Sequence, residues 1–123
     1  MIHIDYKDSR PLYEQISSKL SVLILHGVFE PDSQLPSVRN LAVELAINPN
    51  TIQKAYADLE RKGYIYSVKG KGNFVSDTSK IQEEKKMELI EKFKALVKEA
   101  SELGVGIEDI KQVLEQYYPI ANS

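Results

Sequence analysis

Apolar residues recur every three or four positions in three segments of the first half of the chain, the spacing of helices that bury one face. The first segment covers residues 11–26 and precedes Gly27, a residue typical of a helix C-terminus. The second covers residues 37–45 and starts at Ser37, whose hydroxyl can accept a hydrogen bond from a free N–H group of the first turn. Between these two predicted helices, residues 30–34 have the composition of a turn.

The third helical segment begins at Asn48-Pro49 and ends before Gly63. Asn is a strong N-cap, and Pro at the first helical position loses no useful N–H group. The spacing predicts an apolar face of Ile52, Ala55, Tyr56 and Leu59. The side chains expected mostly on the other faces are Asn50, Thr51, Gln53, Lys54, Ala57 and Asp58.

Two runs rich in β-favouring residues, 64–68 and 74–76, follow the third helix. The residues between them include Gly70 and Gly72, so the two runs are predicted to form a hairpin. Helix, helix, short turn, helix and hairpin is the order of a winged helix-turn-helix. The predicted fold is therefore mainly α with a small β-hairpin.

The rest of the chain is predicted to be a helical tail. Residues 77–80 have the composition of a charged hinge, and helices are expected at 81–103 and 107–118. We therefore predict a DNA-binding domain at 1–78 and a tail at 79–123. A single helix cannot bury an apolar stripe against itself, so two tails are expected to pack together in a homodimer. The predicted dimerisation residues are Leu89, Ile90, Phe93, Leu96, Val97, Ala100, Leu103, Ile110 and Leu114.

The polar face of the third helix suggests the chemistry of the protein. A helix-turn-helix lays its second helix in the major groove of DNA, with the N-terminal residues nearest the bases. Asn and Gln can bond adenine, while Lys and Arg suit guanine or phosphate. The predicted DNA-binding residues are Ser37, Arg39, Asn48, Asn50, Thr51, Gln53, Lys54, Lys69, Gly70, Lys71 and Gly72. Asn48 is expected to act mainly as a helix cap, and Tyr56 to lie in the core.

Composition and charge restrict the other possibilities. The net charge is −2, which by itself does not indicate a nucleic-acid partner, but residues 61–72 contain four basic side chains and no acidic one. The chain has no cysteine, which excludes disulfide scaffolds and thiol catalysis. Its two histidines are too few for a His-rich metal site. No nucleophile–base set, metal-ligand cluster or phosphate-binding loop is recognisable, so we expect no enzyme activity, cofactor or metal. Without a long apolar run or a secretory leader, a cytoplasmic protein is expected.

Several motifs separated along the chain occur in a recognisable order. They are Pro11-Leu12-Tyr13-Glu14-Gln15-Ile16, Leu35-Pro36-Ser37-Val38-Arg39, Asn48-Pro49-Asn50-Thr51-Ile52, Lys54-Ala55-Tyr56, Leu59, Gly63 and Gly70-Lys71-Gly72-Asn73-Phe74-Val75. Together they resemble the signature of the GntR family of bacterial transcriptional regulators. The resemblance covers roughly residues 2–76. In length the chain is most similar to the short YtrA-type subfamily, in which about two C-terminal helices replace a large effector domain.

The chain departs from the family pattern at Asp32 and Ala46, where the family usually has Gly. It also has Pro49-Asn50 where many relatives have Arg. The resemblance implies a repressor, often of a transporter operon that includes its own gene. The expected two-fold homodimer requires an inverted-repeat operator. An unidentified small-molecule effector that acts on the hinge or on the pairing of the tails is a further hypothesis.

The alternative is a winged-helix module that binds protein instead of DNA. Such modules lack an array of Asn, Thr, Gln and Lys side chains on the third helix together with a basic hairpin. Salt-dependent retention on DNA or heparin would distinguish the two functions.

Overall fold

A computed structural model of the chain describes residues 2–118. Its elements are α1 (Leu12–Leu25), α2 (Val38–Leu45), α3 (Pro49–Arg61), β1 (Ile65–Val68), β2 (Gly72–Val75), α4 (Ser79–Glu102) and α5 (Ile107–Tyr117). The predicted order of three helices, a hairpin and two further helices is confirmed. The predicted bounds differ from the observed ones by a residue or two at most helix and strand ends.

The chain divides into two compact units, with the division after Gln82. In the first unit, α1 and α2 pack against α3, and the hairpin follows α3. The core consists of Ile16, Leu20, Ile24, Leu35, Leu41, Ala42, Ile52, Ala55, Tyr56, Leu59, Tyr64, Ile65 and Val75. The four apolar positions predicted for α3 all belong to this core, so the opposite face of the helix is directed away from it.

Local sequence signals account for the helix-turn-helix. Ser37 Oγ accepts a hydrogen bond from the Asn40 N–H at 3.0 Å and caps α2. Asn48 Oδ1 accepts from the Asn50 N–H at 2.8 Å and caps α3. Both predicted caps are confirmed. At the end of α2, Ala46 takes a left-handed conformation with φ 55° and ψ 44°, and Asp32 has φ 66°. The turns in which the family usually has Gly thus keep their left-handed geometry.

The hairpin pairs β1 and β2 in antiparallel register, from Ile65 opposite Val75 to Val68 opposite Gly72. The predicted turn before α2 adds a third, short partner to this sheet. Leu35 N–H donates to the Asn73 carbonyl at 2.9 Å, and Gln34 forms an isolated bridge with Phe74. We call residues 32–37 the connector. They lead directly into α2 and are hydrogen-bonded to β2.

Two sequence expectations require correction. The segment 77–80 is not a hinge throughout, because α4 already begins at Ser79. At its start, the Asp77 carboxylate accepts the Ser79 N–H and the Thr78 carbonyl accepts the Gln82 N–H. Ile81 packs against the core of the first unit. Asp58, expected on a polar face of α3, is instead buried, with 7% of its surface exposed. Its carboxylate is paired there with Ser17, Lys62 and Arg61.

Candidate nucleic-acid interface

The face of α3 opposite the core presents polar side chains at the start of the helix. Asn50, Gln53 and Lys54 are exposed, and Thr51 is half-buried. They occupy the first turn and a half, where the free N–H groups and the helix dipole favour contact with an anion. Asn48 is exposed as well, but its side-chain oxygen is engaged in the cap. This arrangement agrees with the face predicted from the spacing of apolar residues.

The second candidate element is the N-terminus of α2. Arg39 is exposed in the first turn of this helix, one residue after Val38. Ser37 is also exposed, and its hydroxyl oxygen already accepts the Asn40 N–H. Ser37 therefore acts through the backbone of α2, whereas the exposed Arg39 side chain can extend from the surface.

The hairpin tip is the third candidate element, and we call residues 69–72 the wing tip. Its two lysines are exposed, and its two glycines have φ values of 77° and 121°. The wing tip and Gln53 line one cleft of about 710 Å³ between α3 and the hairpin. Side chains chosen from two separate parts of the sequence are thus brought to one concave surface.

Two residues next to the candidate elements were not foreseen from the sequence, namely Tyr13, beside Lys54, and Glu60, on the wall of the cleft. Lys54 Nζ lies 4.7 Å from the centre of the Tyr13 ring, within the range of a cation–π contact. Glu60 lies on the cleft wall and accepts hydrogen bonds from the N–H and hydroxyl of Ser67 at 3.2 and 2.7 Å. Glu60 thereby ties β1 to α3. Tyr13 belongs to the Pro-Leu-Tyr motif near the start of the chain, which is a usable signal, whereas nothing local marks Glu60.

Asp58 joins α3 to α1 through a buried charge. Its Oδ2 accepts a hydrogen bond from Ser17 Oγ at 2.7 Å and lies 2.9 Å from Lys62 Nζ, while Oδ1 pairs with Arg61. Burial by itself would raise the pKa of this carboxyl group, but the hydrogen bonds from Ser17, Lys62 and Arg61 outweigh burial and lower the pKa to about 2. The carboxylate therefore stays ionised at physiological pH and holds the two helices together.

Tyr56 joins α3 to the connector. Its ring is 2% exposed, and its hydroxyl donates to the Pro36 carbonyl at 2.6 Å. Burial raises the pKa of this phenol to about 12. The assignment of Tyr56 to the core is confirmed, and its hydroxyl also fixes the segment from which α2 starts.

In the second unit, α4 and α5 border two apolar grooves of about 520 and 450 Å³. Among the predicted dimerisation residues, Leu96 and Leu103 lie outside these grooves, and both are largely exposed. The predicted residues that line the grooves are Leu89, Ile90, Phe93, Val97, Ala100, Ile110 and Leu114. Within the described parts of α4 and α5, no residue is buried.

Two kinds of feature are not found among the described residues. Over residues 2–118, none of the helices has the length and apolar character needed to cross a membrane. The same residues contain no cluster of three or more His, Asp or Glu side chains that could hold a metal ion.

A capped helix-turn-helix with an exposed polar second helix and a basic hairpin beside it defines a winged helix-turn-helix, a class of DNA-binding domain. Residues 12–75 match the gntR family of bacterial regulatory proteins. The chain belongs to this family, and it is a DNA-binding transcriptional regulator rather than an enzyme.

Relatives support the assignment over both units. The chain is 41% identical to the HTH-type transcriptional repressor YtrA of Bacillus subtilis, over 94% of this chain and 91% of that protein. It resembles the structure of a GntR family transcriptional regulator from Listeria monocytogenes with a TM-score of 0.71 and 34% identity, over 94% of this chain and all of that one.

A further structure similar to the first unit was determined with DNA. It is AraR(DBD) in complex with operator ORR3, at a TM-score of 0.54 and 32% identity, covering 60% of this chain and 89% of that one.

Proposed function

We propose that the protein is a repressor that binds an inverted-repeat operator as a homodimer and acts in the cytoplasm. The observation that carries the proposal is the cleft that Gln53 of α3 and the wing tip, with its exposed lysines, line together. A helix in the major groove and a basic wing on the adjoining backbone would use both sides of that cleft. Repression is proposed because the similar Bacillus subtilis protein is described as a repressor.

In this proposal the side chains divide into two kinds of contact. Asn50, Thr51 and Gln53 contact base edges, because they lie on the exposed N-terminal half of α3. Arg39, Lys54 and Lys71 contact phosphates and set the position of α3 on the duplex. Lys54 reaches the backbone from its place against the Tyr13 ring.

The two kinds of contact predict different mutant behaviour. Gln53→Ala should change base preference, with a loss of about 1–3 kcal/mol at the affected base pair. Arg39→Ala should weaken binding to all sequences and reduce the dependence of affinity on salt by about one phosphate contact. Glu44→Gln, a change at an exposed carboxylate of α2, is the control variant, and it should keep the base preference of the wild type.

The experiment is selection of bound DNA from a random pool, followed by titration of the selected site at several salt concentrations. An inverted repeat should emerge, with half-site centres about one helical turn, or a multiple of it, apart. Footprints symmetric about the centre support the dimer. Binding by Arg39→Ala with unchanged affinity and salt dependence would show that the phosphate role is wrong. Lack of salt-dependent retention on any DNA would favour the protein-binding alternative.

The homodimer is proposed from the uncovered apolar surface of α4 and α5. Leu89, Leu96 and Leu103 are 64%, 64% and 77% exposed, and two apolar grooves lie beside them. A monomer rarely leaves a contiguous apolar patch of this kind in water. A second copy of the same two helices offers the complementary surface, because a two-fold interface uses the same patch on both subunits.

Leu96→Glu tests the dimer in the full-length chain. The added carboxylate should shift the sedimentation coefficient to that of a monomer and weaken operator binding, since a single half-site offers few contacts. Ala95→Glu places the same charge one residue away, outside the predicted apolar stripe, and should remain dimeric. A dimer of unchanged stability for Leu96→Glu would contradict this interface.

The regulated genes are proposed from the family resemblance alone. Short regulators of this type often repress transporter operons that include their own gene. Transcription from the selected operator should rise when the gene for this protein is deleted. A fall in transcription would indicate an activator.

A further inference from the structure

The side chain of Gln34 crosses from the connector to the wing tip. Its Nε2 donates to the Lys71 carbonyl at 2.8 Å, although the two residues are 37 positions apart. The backbone beside Gln34 is well anchored, because Leu35 is buried and its N–H donates to the Asn73 carbonyl at 2.9 Å. Gln34 therefore extends from a fixed support to the loop at the tip of the hairpin.

The wing tip needs such an anchor because of its own backbone. Lys71 is flanked by Gly70 at φ 77° and Gly72 at φ 121°. Glycine explores more backbone conformations than other residues, so two of them leave the intervening lysine weakly positioned. The Lys71 N–H donates to the Val68 carbonyl at 2.9 Å within the hairpin. Gln34 adds a hydrogen bond from outside the hairpin to the carbonyl of the same residue.

The local packing is consistent with this contact. A Cβ atom added to Gly72 would lie 2.8 Å from Gln34 Nε2 and 3.8 Å from its Cδ. Real Cβ atoms do not approach that closely, so any larger residue would displace the amide of Gln34. The absence of a side chain at position 72 thus has two consequences, a permitted φ and room for the amide across the tip.

The connector that carries Gln34 also positions the helices of the interface. Pro36 accepts the Tyr56 hydroxyl of α3, and Ser37 caps α2. One short segment is therefore bonded to α2, to α3 and to the wing tip. A displacement of the tip relative to α3 has to break the bond from Gln34.

We propose that Gln34 is a positioning residue for DNA binding, whose amide holds the wing tip so that the Lys71 ammonium meets a phosphate while α3 lies in the major groove. Gln34 acts through the backbone of Lys71 and need not touch DNA. The inference rests on the proposed function, in which Lys71 contacts the phosphate backbone.

The test uses Gln34→Met in the full-length protein, alone and combined with Lys71→Ala. Met has nearly the same length as Gln and cannot donate a hydrogen bond. Operator affinity should fall about fivefold, the factor that corresponds to one exposed hydrogen bond. The slope of log affinity against log salt should become shallower by up to about 0.9, the value of one phosphate contact. Gln82→Met, at an exposed position at the end of the first unit, is the matched control and should bind like the wild type.

The combined variant separates positioning from other effects. If Gln34 acts through Lys71, then Gln34→Met should cost little further affinity once Lys71 is Ala. The melting temperature should change little, because Gln34 is exposed. Equal losses in both backgrounds would overturn the proposal, since the side chain would then act elsewhere.

Two other outcomes distinguish this inference from the proposed function. Wild-type affinity and slope for Gln34→Met, with a weakened Lys71→Ala, would refute the positioning role and leave the DNA-binding proposal intact. Wild-type binding by Lys71→Ala would remove the wing contact itself, and the role of Gln34 would be refuted with it.

Discussion

Replacing Asp58 by Asn removes a buried negative charge from between α1 and α3, the helix with the exposed polar face. In the wild type this carboxylate accepts the Ser17 hydroxyl and pairs with Lys62 and Arg61. Asn has nearly the same shape and can still accept the hydroxyl of Ser17. The variant therefore isolates the contribution of the charge.

The magnitude follows from the pKa of Asp58. A decrease from 3.8 to about 2 reports how much more favourably the ionised form is held in the folded protein than in the unfolded chain. At about 1.4 kcal/mol per unit, the charge contributes about 2.5 kcal/mol at neutral pH. Asp58→Asn should accordingly lower the free energy of unfolding by about 2.5 kcal/mol.

The pH dependence of the unfolding free energy tests independently whether the pKa of Asp58 is lowered in the folded protein. Because the folded-state pKa is lowered, the stabilisation is complete above pH 3.8 and is lost as the pH falls towards about 2. The difference in unfolding free energy between wild type and Asp58→Asn should therefore shrink across that interval. A carboxylate with a raised pKa would show the opposite trend.

The assay is urea denaturation of the full-length chain at one protein concentration, at pH 7 and at a series of lower pH values. The exposed Glu44→Gln variant controls for the general effect of removing a negative charge. Equal unfolding free energies for wild type and Asp58→Asn at pH 7 would refute the reasoning. A difference that persists unchanged down to pH 2 would refute the attribution to the charge.

Two further predictions concern the backbone and the core of the first unit. Ala46→Gly should raise the free energy of unfolding by about 1 kcal/mol, because Ala46 has φ 55° and ψ 44° and glycine adopts that conformation without strain; a lower melting temperature would contradict this. Tyr56→Phe should lower the free energy of unfolding by about 1 kcal/mol, because the bond to the Pro36 carbonyl is lost. Since the folded-state pKa of Tyr56 is raised from 10.0 to about 12, the wild type should also lose stability as the pH rises through that interval. The Phe variant should lose less, and parallel pH profiles would count against the burial argument.

The helices, the hairpin and the exposed polar face of α3 could be predicted from the sequence because the signals for them are local. Ser37 and Asn48 cap the helices that follow them, within three residues of the groups they bond. The apolar spacing of α3 assigns Ile52 and Leu59 to the core, and the polar face is its geometrical complement. The family resemblance rests on the same positions, since capping, turn and core residues make up most of its motifs.

The contacts that orient this surface were decided only by the tertiary structure. Asp58 meets Ser17 across 41 residues of sequence, and the amide of Gln34 meets the wing tip across 37. Periodicity along one helix assigns a charged residue to a polar face. It contains no information about a partner on another helix, so it could not predict that Asp58 is buried. The start of α4 within the expected hinge has the same origin, since Ile81 packs against a core assembled from distant segments. Local hydrogen bonds and side-chain spacing depend on neighbouring residues, so the sequence determines them directly. Distant side chains can pair only after the helices have packed.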